Sequence, residues 1–277
     1  MTATATQRLE IPIGGDHGSD TEVLVASLWS AGALGVWEQP DTVIAWFTQR
    51  HELRDPRLEG GRWVEEPDRD WQAEWKASIG PVRAGRTAVV PTWLIDDHQP
   101  GQDELTLTLD PGRAFGSGHH ATTLMCLEAL DELDLAGHLA GRRVADVGCG
   151  SGVLAIAAAA RGAHVQAVDI DPAAVDVSRE NAERNGVHLD VHRGSVDSLD
   201  GPVEIVVANL VTDVVADLAG ALVAATTDRL IVSGITEARA EVALAPLRGA
   251  GADLEEIRER DGWVAVIARR VGGPTTS

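Results

Sequence analysis

The sequence predicts an α/β protein built on a doubly wound parallel sheet, with a small α+β unit ahead of it. Three observations carry this expectation. Residues Val144 to Pro172 read VADVGCGSGVLAIAAAARGAHVQAVDIDP: a strand, a glycine loop, a helix and a second strand that ends in a carboxylate. Strand-like apolar runs and helix-forming stretches then alternate as far as residue 247, the pattern of βα units around a parallel sheet. The composition also changes near residues 95 to 105, since seven of the eight tryptophans lie at or before Trp93.

The first part reads as the α+β unit. RLEIPIG alternates apolar and polar residues and predicts a strand. Ser19 and Asp20 are candidate caps for a helix through TEVLVASLWSAG. LGVWEQ and TVIAWFT predict two strands around the turn at Gln39-Pro40-Asp41. Residues 51 to 69 are polar and charged, and predict a loop and the edge of the unit. DRDWQAEWKASIG predicts a short helix capped by Asp68 or Asp70, with Trp71 and Trp75 on one face. That pair reads either as a docking face for a neighbouring domain or as a ligand cage.

From Pro81 to Leu109 the runs AVVPTWL and LTLTL predict strands around a polar loop. DPGRAFGSGHHATT, from Asp110 to Thr123, is a poor helix or strand and is rich in glycine, hydroxyls and backbone N–H groups. A helix follows from Thr122 or Thr123 through LMCLEALDELDL. The loop and helix start thus lie just before the glycine-loop unit, where they can close over a ligand.

After Asp169 the doubly wound pattern continues. Asp171 caps a helix whose first residue is Pro172, and Asn185-Gly186 ends it. LDVHRG is a third strand, followed by SVDSLDGP, where Asp197 is a candidate partner for a base edge. VEIVVAN is a near-continuous apolar strand ending at Asn209. A helix over Thr212 to Ala225, the strand RLIVSG and a helix over Glu237 to Leu247 follow. LEEIRER and GWVAVIARR predict a hairpin around Asp261-Gly262. Open sheets of this kind bind ligands at the carboxyl ends of their central strands, and Gly148, Asp169 and Asn209 all fall at such ends.

The glycine loop identifies the kind of ligand. A dinucleotide fingerprint needs G-x-G-x-x-G, but Val153 stands where its third glycine belongs. The spacing found, Gly148-x-Gly150-x-Gly152, suits a nucleoside cofactor with no pyrophosphate to cradle. Asp169, at the end of the next strand, is placed to accept both ribose hydroxyls. This unit resembles the glycine loop of S-adenosylmethionine-dependent methyltransferases. The resemblance implies a seven-stranded, Rossmann-like methyltransferase sheet behind the small N-terminal α+β domain.

DPGRAFGSGHHATT, the glycine-loop unit, ENAERNGV and VVANL together resemble the PrmA family, over most of the chain. The match is strong in the second half and holds only in outline in the first. The family implies S-adenosylmethionine-dependent methylation of lysine side chains and an N-terminal α-amine on ribosomal protein eleven of the large subunit. It also implies a substrate-recognition domain over 1–66, a linker helix over 67–80 and a methyltransferase domain over 81–277. Carried over residue by residue, Thr123 meets the methionine end of the cofactor, Gly148 and Gly150 line the loop, and Asp169 binds the ribose. Phe115 covers the cofactor. Asn209 lies nearest the methyl group and the amine, as catalytic residue and cofactor contact alike. His119 and His120 read either as loop-fixing residues or as proton handlers. Leu210 and Val211 replace the Pro-Pro-aromatic that often follows in enzymes acting on planar nitrogens, which points to an sp³ amine.

Composition narrows the class. A net charge of −20 disfavours a phosphate backbone as partner and favours a basic protein, although an acidic source proteome would give the same balance. The two cysteines, Cys126 and Cys149, predict neither a disulfide framework nor a metal site, and suit the cytoplasm. No signal peptide is expected, no run is long and apolar enough to span a membrane, and a monomer is expected. The alternatives are a methyltransferase of another protein lysine or of RNA, and a non-enzymatic S-adenosylmethionine-binding regulator.

Overall fold

The computed structural model describes residues 7–13, 18–39, 41–50, 60–65, 79–109 and 120–271. The chain divides into two compact units, Met1–Gly80 and Pro81–Ser277.

The first unit holds β1 (Gln7–Pro12), α1 (Gly18–Ser30), β2 (Gly35–Gln39), β3 (Thr42–Phe47) and β4 (Arg62–Glu65). The strands form an antiparallel sheet in the order β2-β3-β1-β4. Alternation in β1 sends Leu9 and Ile11 inward, where Leu24, Val25 and Leu28 of α1 meet them with Val43, Ala45 and Phe47 of β3. β4 is an edge strand, within the stretch predicted to form a loop and edge. The predicted linker helix with Trp71 and Trp75 lies outside the described residues, as do Phe115 and His119.

The second unit opens with a three-stranded sheet of β5 (Val82–Ala84), β6 (Thr87–Val90) and β7 (Leu105–Thr108). β6 is shorter than the run AVVPTWL suggests. Pro91 cannot donate to a ladder, and Thr92–Leu94 coil into a 3₁₀ turn. α2 (Ala121–Leu135) fastens this sheet through Asp131. The Asp131 carboxylate accepts the backbone N–H of Arg86 at 3.0 Å and the Arg161 guanidinium at 2.8 Å. Arg161 also donates to Thr87 Oγ1 at 2.7 Å.

The main sheet has seven strands: β8 (Arg143–Val147), β9 (His164–Asp169), β10 (Asp190–Arg193), β11 (Val203–Asn209), β12 (Thr226–Thr236), β13 (Ala252–Arg260) and β14 (Trp263–Arg270). Their order is β10-β9-β8-β11-β12-β14-β13. The first five are parallel, and the closing hairpin is antiparallel. Strand order reverses between β8 and β11, which puts the switch point there. Helices α3 (Val153–Ala160), α4 (Pro172–Arg184), α5 (Thr212–Ala225) and α6 (Ala240–Gly249) cover it. Alternate strand residues feed two cores. Val144, Val165, Ile205 and Val207 pack with α2, α3 and α4. Ala145, Val147, Val206 and Ala208 pack with α5 and α6.

Local signals explain most element ends. Asp171 caps α4 by accepting the Ala173 N–H, with Pro172 at the first helical position. The closing turn puts Asp261 at φ 52° and Gly262 at φ 77°, as a two-residue hairpin of the Asp-Gly type requires. β12 runs on to Thr236, past the predicted RLIVSG, because a register shift between Val232 and Ile235 absorbs Gly234 at φ +81°. α6 starts at Ala240, after a 3₁₀ turn over Glu237–Arg239. Among the described residues, no helix is long and apolar enough to cross a membrane.

Candidate functional site

The glycine loop joins β8 to α3 at the switch point. Gly148, Gly150 and Gly152 all have positive φ, at 75°, 53° and 80°. A Cβ on Gly148 would stand 2.3 Å from Leu210 Cδ2, and one on Gly152 would stand 2.9 Å from Ser178 Oγ. The positive φ favours glycine at both positions, and at Gly152 the approach of the Ser178 backbone adds to it. Gly152 has no side chain to cap α3, and the Asp146 carboxylate takes the Ala155 N–H of its first turn.

α4 holds the loop from beneath. Ser178 donates to the Gly150 carbonyl at 2.9 Å, and Asn181 Nδ2 donates to the Ser151 carbonyl at 2.9 Å. Asn185, one turn on, takes both backbone groups of Thr108: its Oδ1 accepts the N–H at 2.7 Å and its Nδ2 donates to the C=O at 2.8 Å. The ENAERNGV segment thus ties the glycine loop and the end of β7 to one helix. In the sequence Asn185 reads only as a helix end, and nothing there marks Asn181.

Asp169 closes the loop from the β9 side. Its Oδ2 accepts the Gly150 N–H at 2.9 Å and its Oδ1 accepts the Asp171 N–H at 2.9 Å. Each oxygen of a carboxylate has two lone-pair sites, so both keep one for a vicinal diol. Asp169 is half-buried, and its carboxylate is already oriented by the backbone.

Asn209 ends β11, two residues past Val207, which pairs with Asp146 of β8. Its Nδ2 donates to Thr123 Oγ1 at 3.2 Å across 86 residues of sequence. Thr123 is buried in the first turn of α2, and its Oγ1 is the acceptor of the pair. The next residue, Leu210, is gripped on two sides. Its side chain meets Gly148, and its backbone crosses Gly234, where a Cβ would lie 2.2 Å from its carbonyl oxygen. The glycine loop, Asn209 and the bulge of β12 therefore share one packed contact.

His120 caps α2. Its Nδ1 accepts from the Thr122 N–H at 3.4 Å and lies 2.8 Å from Thr122 Oγ1. The ring meets Trp263 edge-on at 4.9 Å, and burial lowers its pKa against the opposing pull of Asp261. Its described hydrogen bonds are those of a helix cap. The helix starts at Ala121, one or two residues before the predicted Thr122 or Thr123, because the cap is the histidine. Asp197 lies exposed in a 3₁₀ turn over Val196–Ser198.

Asp146, which the sequence analysis passed over, is 1% exposed in β8. Its Oδ2 accepts the Ala155 N–H at 3.0 Å, while Oδ1 has no hydrogen-bond partner among the described residues. Burial pushes its pKa up to about 7, against the Ala155 N–H and with help from the Asp169 charge. Among the described residues, no group of histidines, cysteines and carboxylates is arranged to hold a metal ion.

The site has a glycine backbone bare of side chains, an oriented carboxylate and an orphaned buried oxygen. These features suit a nucleoside cofactor carrying positive charge. Comparison with known proteins agrees with this arrangement. The family model described as Ribosomal protein L11 methyltransferase (PrmA) matches residues 22–271. A ribosomal protein L11 methyltransferase of Deinococcus radiodurans is 39% identical over 259 residues, which is 88% of this chain and 92% of that protein. One from Symbiobacterium thermophilum is 43% identical over 214 residues, 76% of this chain and 68% of that protein. A crystal structure of the ribosomal protein L11 methylase of Lactobacillus delbrueckii subsp. bulgaricus is 29% identical, with a TM-score of 0.61, and covers 69% of this chain and all of that one. The chain therefore belongs to the PrmA family of methyltransferases.

Proposed function

We propose that this enzyme transfers methyl groups from S-adenosylmethionine to lysine side chains, and to the N-terminal α-amine, of ribosomal protein eleven of the large subunit. The observation that carries the reading is the Thr123–Asn209 pair beside the glycine loop, at the carboxyl ends of the parallel strands, where Asp169 also lies. The names of the relatives support the choice of substrate.

The cofactor, when bound, supplies a sulfonium-activated methyl group. The protein's task is then alignment and dehydration rather than activation. Gly148 and Gly150 offer bare backbone to the cofactor, Asp169 accepts its ribose hydroxyls, and Thr123 bounds its methionine end. Phe115, in the segment before α2, is assigned the cover. Asn209 Oδ1 accepts a hydrogen bond from the incoming amine and turns its lone pair toward the site.

That amine must arrive neutral. For a lysine of pKa ~10.4 this costs roughly 4–5 kcal/mol at pH 7, and for an α-amine of pKa ~7.8 only about 1 kcal/mol. Desolvation and a neighbouring positive charge lower a bound lysine's pKa, so solvent can take the proton. Three of the described acids and bases are already engaged. Asp169 holds the loop, His120 caps α2, and Asp213 pairs with Arg239 at 2.5 Å. The N-terminal unit, residues 1–66 by our assignment, reads the protein substrate, and 67–80 links it to the methyltransferase domain. The protein works in the cytoplasm as a monomer.

The test is incubation with labelled S-adenosylmethionine and cell lysate, with and without nuclease, followed by the purified ribosomal protein. Label on that protein, unchanged by nuclease, is expected. Label that disappears with nuclease would move the substrate to RNA. Label on other proteins alone would remove the ribosomal protein as substrate.

A further inference from the structure

Asp146 is a carboxyl group in a place that does not suit a charge. It belongs to the run VADVG, between Ala145 and Val147, and faces the core shared by Val144 and Val207. One oxygen has the Ala155 N–H; the other has no partner among the described residues. The charged and titratable groups that bear on it come from each element packed around it. β9 contributes Asp169, an anion. The glycine loop contributes the thiol of Cys149, and α2 that of Cys126; burial pushes both upward and keeps them neutral. β11 contributes Val207, which pairs with Asp146 directly. β13 contributes the cation Arg258, which acts on Cys126 and is already paired with Glu132 and Glu256.

A buried carboxylate with one unsatisfied oxygen and an anion nearby is strongly disfavoured against its protonated form. A positive charge arriving over the loop reverses that balance. The methyl donor carries a sulfonium charge that its product, a neutral thioether, has lost. The two ligands are otherwise alike, so a group sensitive to positive charge at this site separates them.

We propose that Asp146 exchanges a proton for ligand charge: it is protonated in the free protein, releases the proton to solvent as the cationic donor binds, and thereby makes the site favour donor over product. This rests on the S-adenosylmethionine reading of the site. After transfer the sulfonium charge is gone, Asp146 takes a proton back, and the preference for the spent ligand falls. The value of about 7 for the free protein places the effect near neutrality. The complex binds fewer protons than the free protein, so donor affinity rises with pH and levels off above that value. Product affinity follows pH less steeply.

The experiment is calorimetric titration of the full chain with S-adenosylmethionine and with S-adenosylhomocysteine, in buffers of different ionisation enthalpy, from about pH 5.5 to about pH 7.5. Parent and Asp146→Asn are compared. Ionisation of each ligand's own amine is common to both proteins and cancels in the difference. For the parent we expect proton release with the donor, less with the product, and a donor-to-product affinity ratio that rises at least about threefold across the range. In Asp146→Asn the extra release disappears and the ratio is flat. Equal proton release and equal pH dependence in the two proteins would overturn the proposal. Failure of the parent to bind either ligand would instead overturn the cofactor reading.

A second measurement covers a variant that does not fold. Infrared difference spectra of the parent at about pH 6 should show a protonated carboxyl stretch lost when the donor is added and retained when the product is added. Spectra that are the same for the two ligands would also overturn it.

Discussion

Among the described glycines, Gly234 is the one where an added methyl group meets backbone most closely. Gly234→Ala places a Cβ 2.2 Å from the Leu210 carbonyl oxygen, 2.7 Å from its carbonyl carbon and 3.0 Å from its nitrogen. All three are backbone atoms, so no rotamer change relieves the overlap. The φ of +81° adds a cost of about 1–2 kcal/mol for a residue with a Cβ. Displacing packed backbone adds about 1–3 kcal/mol, for a total of about 2–5 kcal/mol. For a unit of this size that is roughly 5–15 °C in Tm.

Leu210 follows Asn209 directly, and its N–H donates to the Ser233 carbonyl at 3.0 Å. Movement there therefore moves the Asn209 amide. Turnover should fall at least about tenfold, more than cofactor affinity does, since a ~1 Å misplacement already costs that much or more. The control is Gly220→Ala in α5, where nothing lies within 4 Å of the built Cβ. It should leave Tm unchanged or raise it slightly, as alanine is the better helix former. Calorimetry and initial rates on both variants decide the matter. A folded Gly234→Ala protein with parental Tm and parental turnover would refute the argument that the bulge sets the position of Asn209.

Four further outcomes are expected. Asp169→Ala loses the anchor of Gly150 as well as the ribose acceptor, so S-adenosylmethionine affinity should drop at least about tenfold by calorimetry, each hydrogen bond to a charged group contributing about 1.5–3 kcal/mol. Asn209→Ala should raise the barrier to transfer by about 2–4 kcal/mol with little change in cofactor affinity, whereas Asn209→Asp, which favours the protonated amine, should regain part of its rate as pH rises. Folding raises Asp146 from its ordinary 3.8 to about 7, so its favourable contribution is complete below about pH 4 and is lost as pH rises through 7. Denaturation of Asp146→Asn should therefore show the variant gaining on the parent over that window, by at most about 4 kcal/mol. Removing the first 66 residues should leave cofactor affinity within a few-fold and abolish methylation of the ribosomal protein; a truncated enzyme as active as the full chain would remove the substrate-reading role of that part.

The βαβ unit from β8 to β9 was readable because every signal in it is local. The glycines, the alanine-rich helix and Asp169 all lie within one stretch of sequence, as do the Asp171 cap and the Asp261-Gly262 turn. The misplaced boundaries have local causes too, which the run of apolar residues conceals. Pro91 stops β6 although Thr92 to Leu94 look strand-like, and the Gly234 bulge lets β12 continue where a glycine suggests an end. The polar anchors were not readable, since their partners are distant. Asn181 finds Ser151 across 30 residues and Asn185 finds Thr108 across 77, and no periodicity encodes such pairings. Asp146 left a usable trace: a carboxylate inside a buried apolar strand demands an explanation whatever its neighbours. The Asn209–Thr123 bond is also invisible in sequence, and only the family resemblance put both residues on one list.

The closing hairpin has a consequence for how the protein is made. β14 lies against the inner strand β12, and the hairpin is bolted to α2 by Arg260 on Glu128, at 2.9 and 3.0 Å, and by Arg258 on Glu132. These ion pairs join residues 132 and 126 positions apart, and Trp263 completes the small cluster with Ala121 and Met125. During synthesis α2 emerges early and waits for the last strands to arrive. Until they do, β12 presents an unpaired edge, the kind that recruits strands of other chains. Long-range closure of this sort is slow, because loop entropy is lost before contacts reward it. A polypeptide stalled between Thr236 and Ala252 thus carries a complete glycine loop on an unfinished sheet, and is a natural client for chaperones.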